Sequence, residues 1–218
     1  MKLELNNIKE ISYIFSLLND NSYLVGGFLR DYFFKTKSHD LDFVTNIKPD
    51  ILKKILPYKV AYEKMGNFSF KYHDYDITVT TLRKEGKYLD YRHPSSIEFI
   101  SSIDVDYLRR DFTINALYMD KDYNLIDPSG CSISDLKSKT LKMIGDPYSR
   151  LKEDPLRIIR AYRFKFEYDL KIDNKLNKAI LSSLPLIKYL NKRKVEDEIK
   201  KSSYKDEIIK LLGVYYEH

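Results

Sequence analysis

Apolar residues recur at three- and four-residue intervals through 7–18, "NIKEISYIFSLL", where Ile8, Ile11, Phe15 and Leu18 share one face, so a helix is expected there. "SYLVGG" reads as a short strand ending in two glycines, and "FLRDYFFK" turns helical again. "LDFVT" is strand-like, and "PDILKKIL" is a helix with Pro49 near its start. Residues 68–82, "FSFKYHDYDITVTTL", alternate with a period of two and predict a hairpin turning around His73 to Tyr75. Residues 83–98 are polar, contain Gly86 and Pro94, and read as a loop. From about 104 onwards the pattern is mainly helical, with one extended piece at "NLIDPSG". The pattern shifts near 138–145. The expected fold is α+β, with a first domain over 1–137 and an all-helical second domain over 138–218.

Composition narrows this picture. The 218 residues are 43% hydrophobic, enough for one large domain or two small ones with a real core. No run approaches the roughly 20 apolar residues of a membrane span, so no membrane association is expected. The opening "MKLELNNIKEISYIF" carries polar and acidic residues where a signal peptide needs an apolar stretch. One cysteine, Cys131, excludes an internal disulfide and fits a reducing, cytoplasmic setting. A net charge of +6 suggests a polyanionic partner, because clustered Lys and Arg displace counterions from phosphates.

Candidate chemistry begins at "TKSHDLDFVT". Asp40 and Asp42 stand two apart at the start of a strand, where i and i+2 share a face. Paired carboxylates gain nothing there as structure, although a polar loop entering a strand would look the same. The functional reading is a Mg²⁺ site shared with substrate phosphates. "LVGGFLRD", 24–31, comes shortly before. A strand entering Gly26-Gly27 and then a helix lets backbone N–H groups approach a phosphate, with Arg30 one turn further on.

The stretch "GGFLRDYFFKTKSHDLDFVT" resembles the signature of the class II tRNA nucleotidyltransferase and bacterial poly(A) polymerase family. "RRDFTINALYMD", 109–120, resembles that family's ribose-recognition motif. "DPSGCSISDLKSKTLKMIGDPYSRLKEDPLRIIRAYRF", 127–164, resembles its connecting segment and base-reading helix, and "LNKRKVEDEIKKS", 190–202, is similar to a further neck motif. The resemblance implies a polymerase-beta-like head with a small mixed sheet, followed by a helical neck. It implies that Asp40 and Asp42 hold Mg²⁺ and are catalytic, that Gly27 and Arg30 contact the triphosphate, and that Arg110, with Asp111 beside it, reads the ribose. A two-metal transfer benefits from a third carboxylate. Asp76, in "YDITVTT", is the candidate metal ligand, with a hairpin aspartate facing water as the equal alternative.

"EDPLRIIRAYRF" holds the candidate base reader. Asp154 before Pro155 makes a good helix start, which by itself explains both residues. It does not explain Arg157, Arg160 and Arg163, which step round the helix as a slanting ridge and are expected to bind nucleotide, while Ile159, Tyr162 and Phe166 group on the side opposite Arg157. Asp154 and Arg157 are helix neighbours. A carboxylate only accepts hydrogen bonds and a guanidinium only donates them. Cytosine and adenine each present an amino donor beside a ring-nitrogen acceptor, so the pair suits C and A and opposes U and G.

The expected activity is template-independent addition of C and A to the 3′ end of tRNA from CTP and ATP, releasing pyrophosphate. Poly(A) or A-only addition is the alternative within the class, and an inactive RNA- or nucleotide-binding remnant the alternative outside it. "RKEGKYLDYRHP", 83–94, resembles the flexible loop that favours terminal A addition, with Glu85, Asp90 and Arg92 at its charged positions. Family members usually continue into longer helical regions that hold tRNA, and a homo-oligomer is one way to supply that surface.

Overall fold

A computed structural model describes residues 1–5, 8–57, 60–86 and 94–216. Its contacts fall into two compact units: Met1–Glu85, Ile97–Arg110 and Ile114–Ile133 form the first, and Gly86–Ser96, Asp111–Thr113 and Ser134–His218 the second.

The first unit is built on α1 (Lys9–Leu17), β1 (Ser22–Val25), α2 (Gly27–Phe34), β2 (Asp40–Thr45), α3 (Pro49–Ile55), β3 (Val60–Tyr62), β4 (Asn67–Tyr72) and β5 (Tyr75–Thr81). It continues through β6 (Arg83–Glu85), β7 (Ile97–Phe99), α4 (Ile103–Asp106), β8 (Tyr118–Met119) and β9 (Leu125–Ile126). Seven strands form one sheet in the order β3-β4-β5-β2-β1-β8-β9. The β2–β5 pair is parallel and every other pair in it antiparallel, so the sheet is mixed.

Alternation explains the central strands. In β2, Leu41 and Phe43 are buried while Asp40 and Asp42 take the other face; in β5, Ile77 and Val79 are buried while Asp76 and Thr78 do so. From α1, Ile11, Ile14 and Phe15 are buried, and the Phe15 ring meets Phe43 edge-on at 5.2 Å. Ile8 and Leu18, expected on the same face, are half-buried.

Two expectations change. The polar stretch expected as a loop over 83–98 supplies both strands of a hairpin, with Arg83 opposite Phe99 and Glu85 opposite Ile97. The region after 104, expected to be mainly helical with an extended piece at "NLIDPSG", holds that piece as β9 and adds β8; the two extend the main sheet through Val25 opposite Tyr118 and Tyr118 opposite Ile126. A strand of two residues such as β8 carries no period to detect.

Helix α5 (Ser132–Lys137) begins at the boundary between the units. The second unit then holds β10 (Thr140–Leu141), α6 (Pro147–Glu153), α7 (Leu156–Glu167), β11 (Lys171–Ile172), α8 (Asn174–Ser183), α9 (Lys192–Lys200) and α10 (Lys205–Leu212). Among its described residues the strands form one parallel β10–β11 pair, which the all-helical expectation omitted. Ile159 and Tyr162 are buried in α7 as expected. Phe166 is only half-buried and stacks on Tyr204 at 5.7 Å, while Phe164 takes the deep position against Phe112.

Candidate functional site

In the first unit, β1 delivers the chain to Gly26 at φ 83° and ψ −128°, a conformation that favours glycine, and α2 starts at Gly27. The first N–H groups of α2 have no acceptor within the helix, which suits an anion. A Cβ placed on Gly27 would lie 3.5 Å from Arg30 Nη2, so Arg30 sits against the turn. Arg30 is buried; its Nε and Nη2 donate to Asp31 Oδ1 at 3.0 and 2.8 Å, and its Nη1 to Asn115 Oδ1 at 2.7 Å. In the sequence Asn115 stands out only as part of "RRDFTINALYMD". Its role here depends on a partner 85 residues away in sequence.

Asp40 stands opposite Asp76 in the parallel β2–β5 register, with Asp42 opposite Thr78. Asp40, Asp42 and Asp76 therefore share the sheet face opposite Leu41, Phe43 and Ile77. Asp40 and Asp76 are exposed and Asp42 half-buried. Burial raises the Asp42 carboxyl above the usual carboxylate range, with Asp40 adding to this and the Arg110 and Arg30 guanidiniums opposing it. Such a carboxylate gains from a cation. Two hard oxygen donors beside a phosphate cradle suit Mg²⁺, which uses one or two carboxylates and completes its shell with water and phosphate. Among the described residues, no three His, Cys, Asp or Glu side chains converge as a protein-only metal site.

Arg110 closes the same region. A Cβ on Gly26 would lie 3.7 Å from Arg110 Nη1 and 3.9 Å from Asp42 Oδ2. The first unit thus brings together Gly26, Gly27, Arg30, Asp40, Asp42 and Arg110. Of the loop residues, Glu85 is paired with Arg83 in β6 at 2.8 Å, while Asp90 and Arg92 lie outside the described residues.

The second unit holds the other candidates. The N-cap of α7 is Pro155, one residue after the expected Asp154, but Asp154 Oδ1 still accepts the Leu156 N–H at 3.1 Å and so satisfies a donor of the first turn. Arg157 is buried, donating from Nη1 to the Arg150 carbonyl at 2.7 Å and to Glu153 Oε2 at 3.3 Å. Arg160 grips Asp111 Oδ2 through Nε and Nη2 at 2.7 and 2.6 Å. Arg163 donates to Glu198 Oε1 at 2.9 Å and Glu167 Oε2 at 3.0 Å, over the Phe164 ring at 4.4 Å. The arginines are therefore set in carboxylates rather than standing as an open ridge. Glu198 of α9 joins them. Burial alone would raise its carboxyl, but Arg160, Lys201 and Arg163 outweigh that and hold it low. Its place was signalled only by the motif similarity over 190–202.

Known proteins resemble this chain in sequence and in fold. A family model described as the Poly A polymerase head domain matches residues 22–142, more than half of the chain. The CCA-adding enzyme of Staphylococcus epidermidis is 35% identical over 181 residues, which are 83% of this chain and 45% of that protein. The CCA-adding enzyme of Enterococcus faecalis is 34% identical over 200 residues, 90% of this chain and 49% of that one. The chain spans about half the length of the curated relatives it matches. Among solved structures, the Bacillus stearothermophilus CCA-adding enzyme in complex with CTP matches with a TM-score of 0.84 at 26% identity, over 97% of this chain and 54% of that one. A tRNA nucleotidyltransferase complexed with a primer tRNA and an incoming ATP analog matches with a TM-score of 0.71 at 28% identity, over 87% of this chain and 56% of that one. The expected polymerase-beta-like head, a mixed sheet with helices, holds. With motif, sheet topology and family model in agreement, the chain belongs to the family of the poly(A) polymerase head domain.

Proposed function

We propose that this chain is a template-independent ribonucleotidyltransferase that adds C and A to the 3′ end of tRNA from CTP and ATP, releasing pyrophosphate. The observation that carries the reading is the sharing of one region by the Asp40–Asp42 face, the Gly26–Gly27 turn and the Arg30 and Arg110 guanidiniums. Similarity to a chain described in complex with CTP, and to another with primer tRNA and an ATP analog, supports the substrates.

Asp40 and Asp42 hold Mg²⁺ in this reading; Asp76 shares their sheet face, but the three do not converge as one metal site, which favours its reading as a hairpin aspartate facing water. When bound, Mg²⁺ neutralises the triphosphate and favours the ionised acceptor hydroxyl. The N–H groups opening α2 and the buried Arg30 orient the triphosphate, and Arg110 contacts the ribose, whose 2′-OH distinguishes RNA precursors from DNA. Asp154 and Arg157 read the base edge, with Arg160 and Arg163 completing the nucleotide-binding helix. A wrong base leaves buried polar groups unpaired. The division of labour follows a head over about 1–137 and a neck over about 138–218. No helix among the described residues is long and apolar enough to cross a membrane, and a single cysteine supports a cytoplasmic setting.

Poly(A) addition is the second reading, favoured by the description of the matching family model. One assay separates them: the pure protein with tRNA lacking CCA, Mg²⁺ and each labelled nucleotide. CTP and ATP should be incorporated, while UTP and GTP should not. Long A tails without C point to poly(A) addition, and no incorporation points to a binding remnant. Asp40→Ala and Asp42→Ala should abolish transfer with an unchanged circular-dichroism spectrum. Near-normal single-turnover rates in either variant overturn the metal assignment.

A further inference from the structure

One buried carboxylate in the first unit has no part in the reading above. Asp106, the last residue of α4, is fully buried, and both its oxygens accept. Oδ1 takes the Arg109 Nε at 2.8 Å and the Arg83 backbone N–H at 3.3 Å. Oδ2 takes the Arg110 Nη2 at 3.2 Å and the Tyr118 hydroxyl at 2.8 Å. The Tyr118 hydroxyl, while donating to Asp106, accepts from Arg110 Nε at 2.8 Å. Tyr118 lies in β8, fully buried, and its ring lies 5.1 Å from the Arg110 guanidinium carbon.

These contacts take the guanidinium by one edge. Nε and Nη2 are held by a phenol and a carboxylate that are bonded to each other, and Nη1 is turned toward Gly26, 3.7 Å from where its Cβ would be. An arginine side chain is otherwise rich in rotamers, and its planar fork recognises a partner only when the plane is fixed. Fixing that plane is what reading one sugar hydroxyl requires.

We propose that Asp106 and Tyr118 are positioning residues that aim Arg110 at the ribose of the bound nucleotide, and that they set the preference for ribonucleoside over deoxyribonucleoside triphosphates. This rests on the proposed role of Arg110 in the function above. If the cluster were only core structure, disturbing it would change stability and leave the sugar preference alone.

Tyr118→Phe tests the difference. It removes the bridging hydroxyl and keeps the buried ring. Affinities of CTP and dCTP are measured calorimetrically on the full chain with Mg²⁺, beside incorporation of each and the melting temperature. A lost hydrogen bond of ordinary strength predicts that CTP affinity falls about 3- to 10-fold, while dCTP affinity changes less than about 2-fold. Asp106→Asn should shift the CTP to dCTP ratio in the same direction; should that variant fail to fold, Tyr118→Phe decides alone. Equal losses for the two nucleotides, or no loss for either, overturn the proposal while leaving the transferase reading intact. Wild-type protein that prefers CTP in binding but incorporates neither nucleotide overturns the transferase reading and leaves the clamp to be judged by its variants. Wild-type protein that binds both equally overturns the clamp.

Discussion

The two adjacent glycines at the head of α2 should respond to alanine with opposite signs. Gly26 sits at φ 83° and ψ −128°, a region open to glycine and strained for any L side chain. Space is not the obstacle: the nearest atoms to an added Cβ are Arg110 Nη1 at 3.7 Å and the Asn115 carbonyl and Asp42 Oδ2 at 3.9 Å, all ordinary contacts. The cost is therefore conformational, about 1–3 kcal/mol for a residue held in such a region. Restricting the unfolded chain returns about 0.4–1 kcal/mol. Gly26→Ala should thus lose about 1–2 kcal/mol, or about 2–8 °C in melting temperature for a chain of this size. Gly27 is the first residue of α2 at an ordinary φ, and its added Cβ would meet only Arg30 Nη2 at 3.5 Å. Gly27→Ala should leave stability unchanged or raise it by about 0.4–1 kcal/mol. That methyl stands on the face proposed for the triphosphate, so the KM for CTP and ATP should rise. Urea unfolding followed by circular dichroism measures the first quantity, and nucleotide titration of the transfer rate the second. Equal stability loss in both variants, or a Gly26→Ala protein as stable as the parent, refutes the account of the turn.

Asp154→Asn keeps the acceptor for the Leu156 N–H and should cost well under the roughly 1 kcal/mol of a lost cap, while relaxing selection against UTP and GTP. Unchanged relative incorporation of the four nucleotides would return Asp154 to capping alone. Asp106 predicts acid sensitivity. Burial would raise its carboxyl, but Arg109, Arg110 and a hydrogen bond from Tyr118 hold it at about 2 against 3.8 when unfolded. A depressed folded value stabilises above the unfolded one, so about 2 kcal/mol present above about pH 4 should be lost as pH falls toward about 2. Unfolding free energies across that window should fall more steeply for the parent than for Asp106→Asn, and equal slopes would contradict the assignment.

The central strands were legible because their side chains alternate. Asp40, Leu41, Asp42 and Phe43 announce both a strand and its two faces, as do Asp76, Ile77, Thr78 and Val79. The β6–β7 hairpin was not, because Arg83 and Glu85 are held by an ion pair, and charged strands read as loop. The strand β8 exists only because β1 offers an edge to Tyr118 and Met119, a tertiary fact without local trace, whereas β9 falls in the extended "NLIDPSG". Charge does not report burial in α7: Arg157 lies in the interior, where the Arg150 carbonyl and Glu153 accept from it. Asp106 and Arg110 had a helical spacing to recommend them, but the third member, Tyr118, becomes their partner only through the sheet.

The β2–β5 register ties the candidate metal face to the core. Asp40 stands beside Asp76 because Leu41 stands beside Ile77 and Phe43 beside Val79. A single residue inserted or deleted within either strand would turn every following side chain over, sending a carboxylate inward and an apolar side chain out to water. Changes in chain length inside these strands are therefore barred twice, once by folding and once by chemistry. Length variation should be tolerated at the turn between Tyr72 and Tyr75, where added residues lengthen a loop and leave the spacing of the carboxylates as it was.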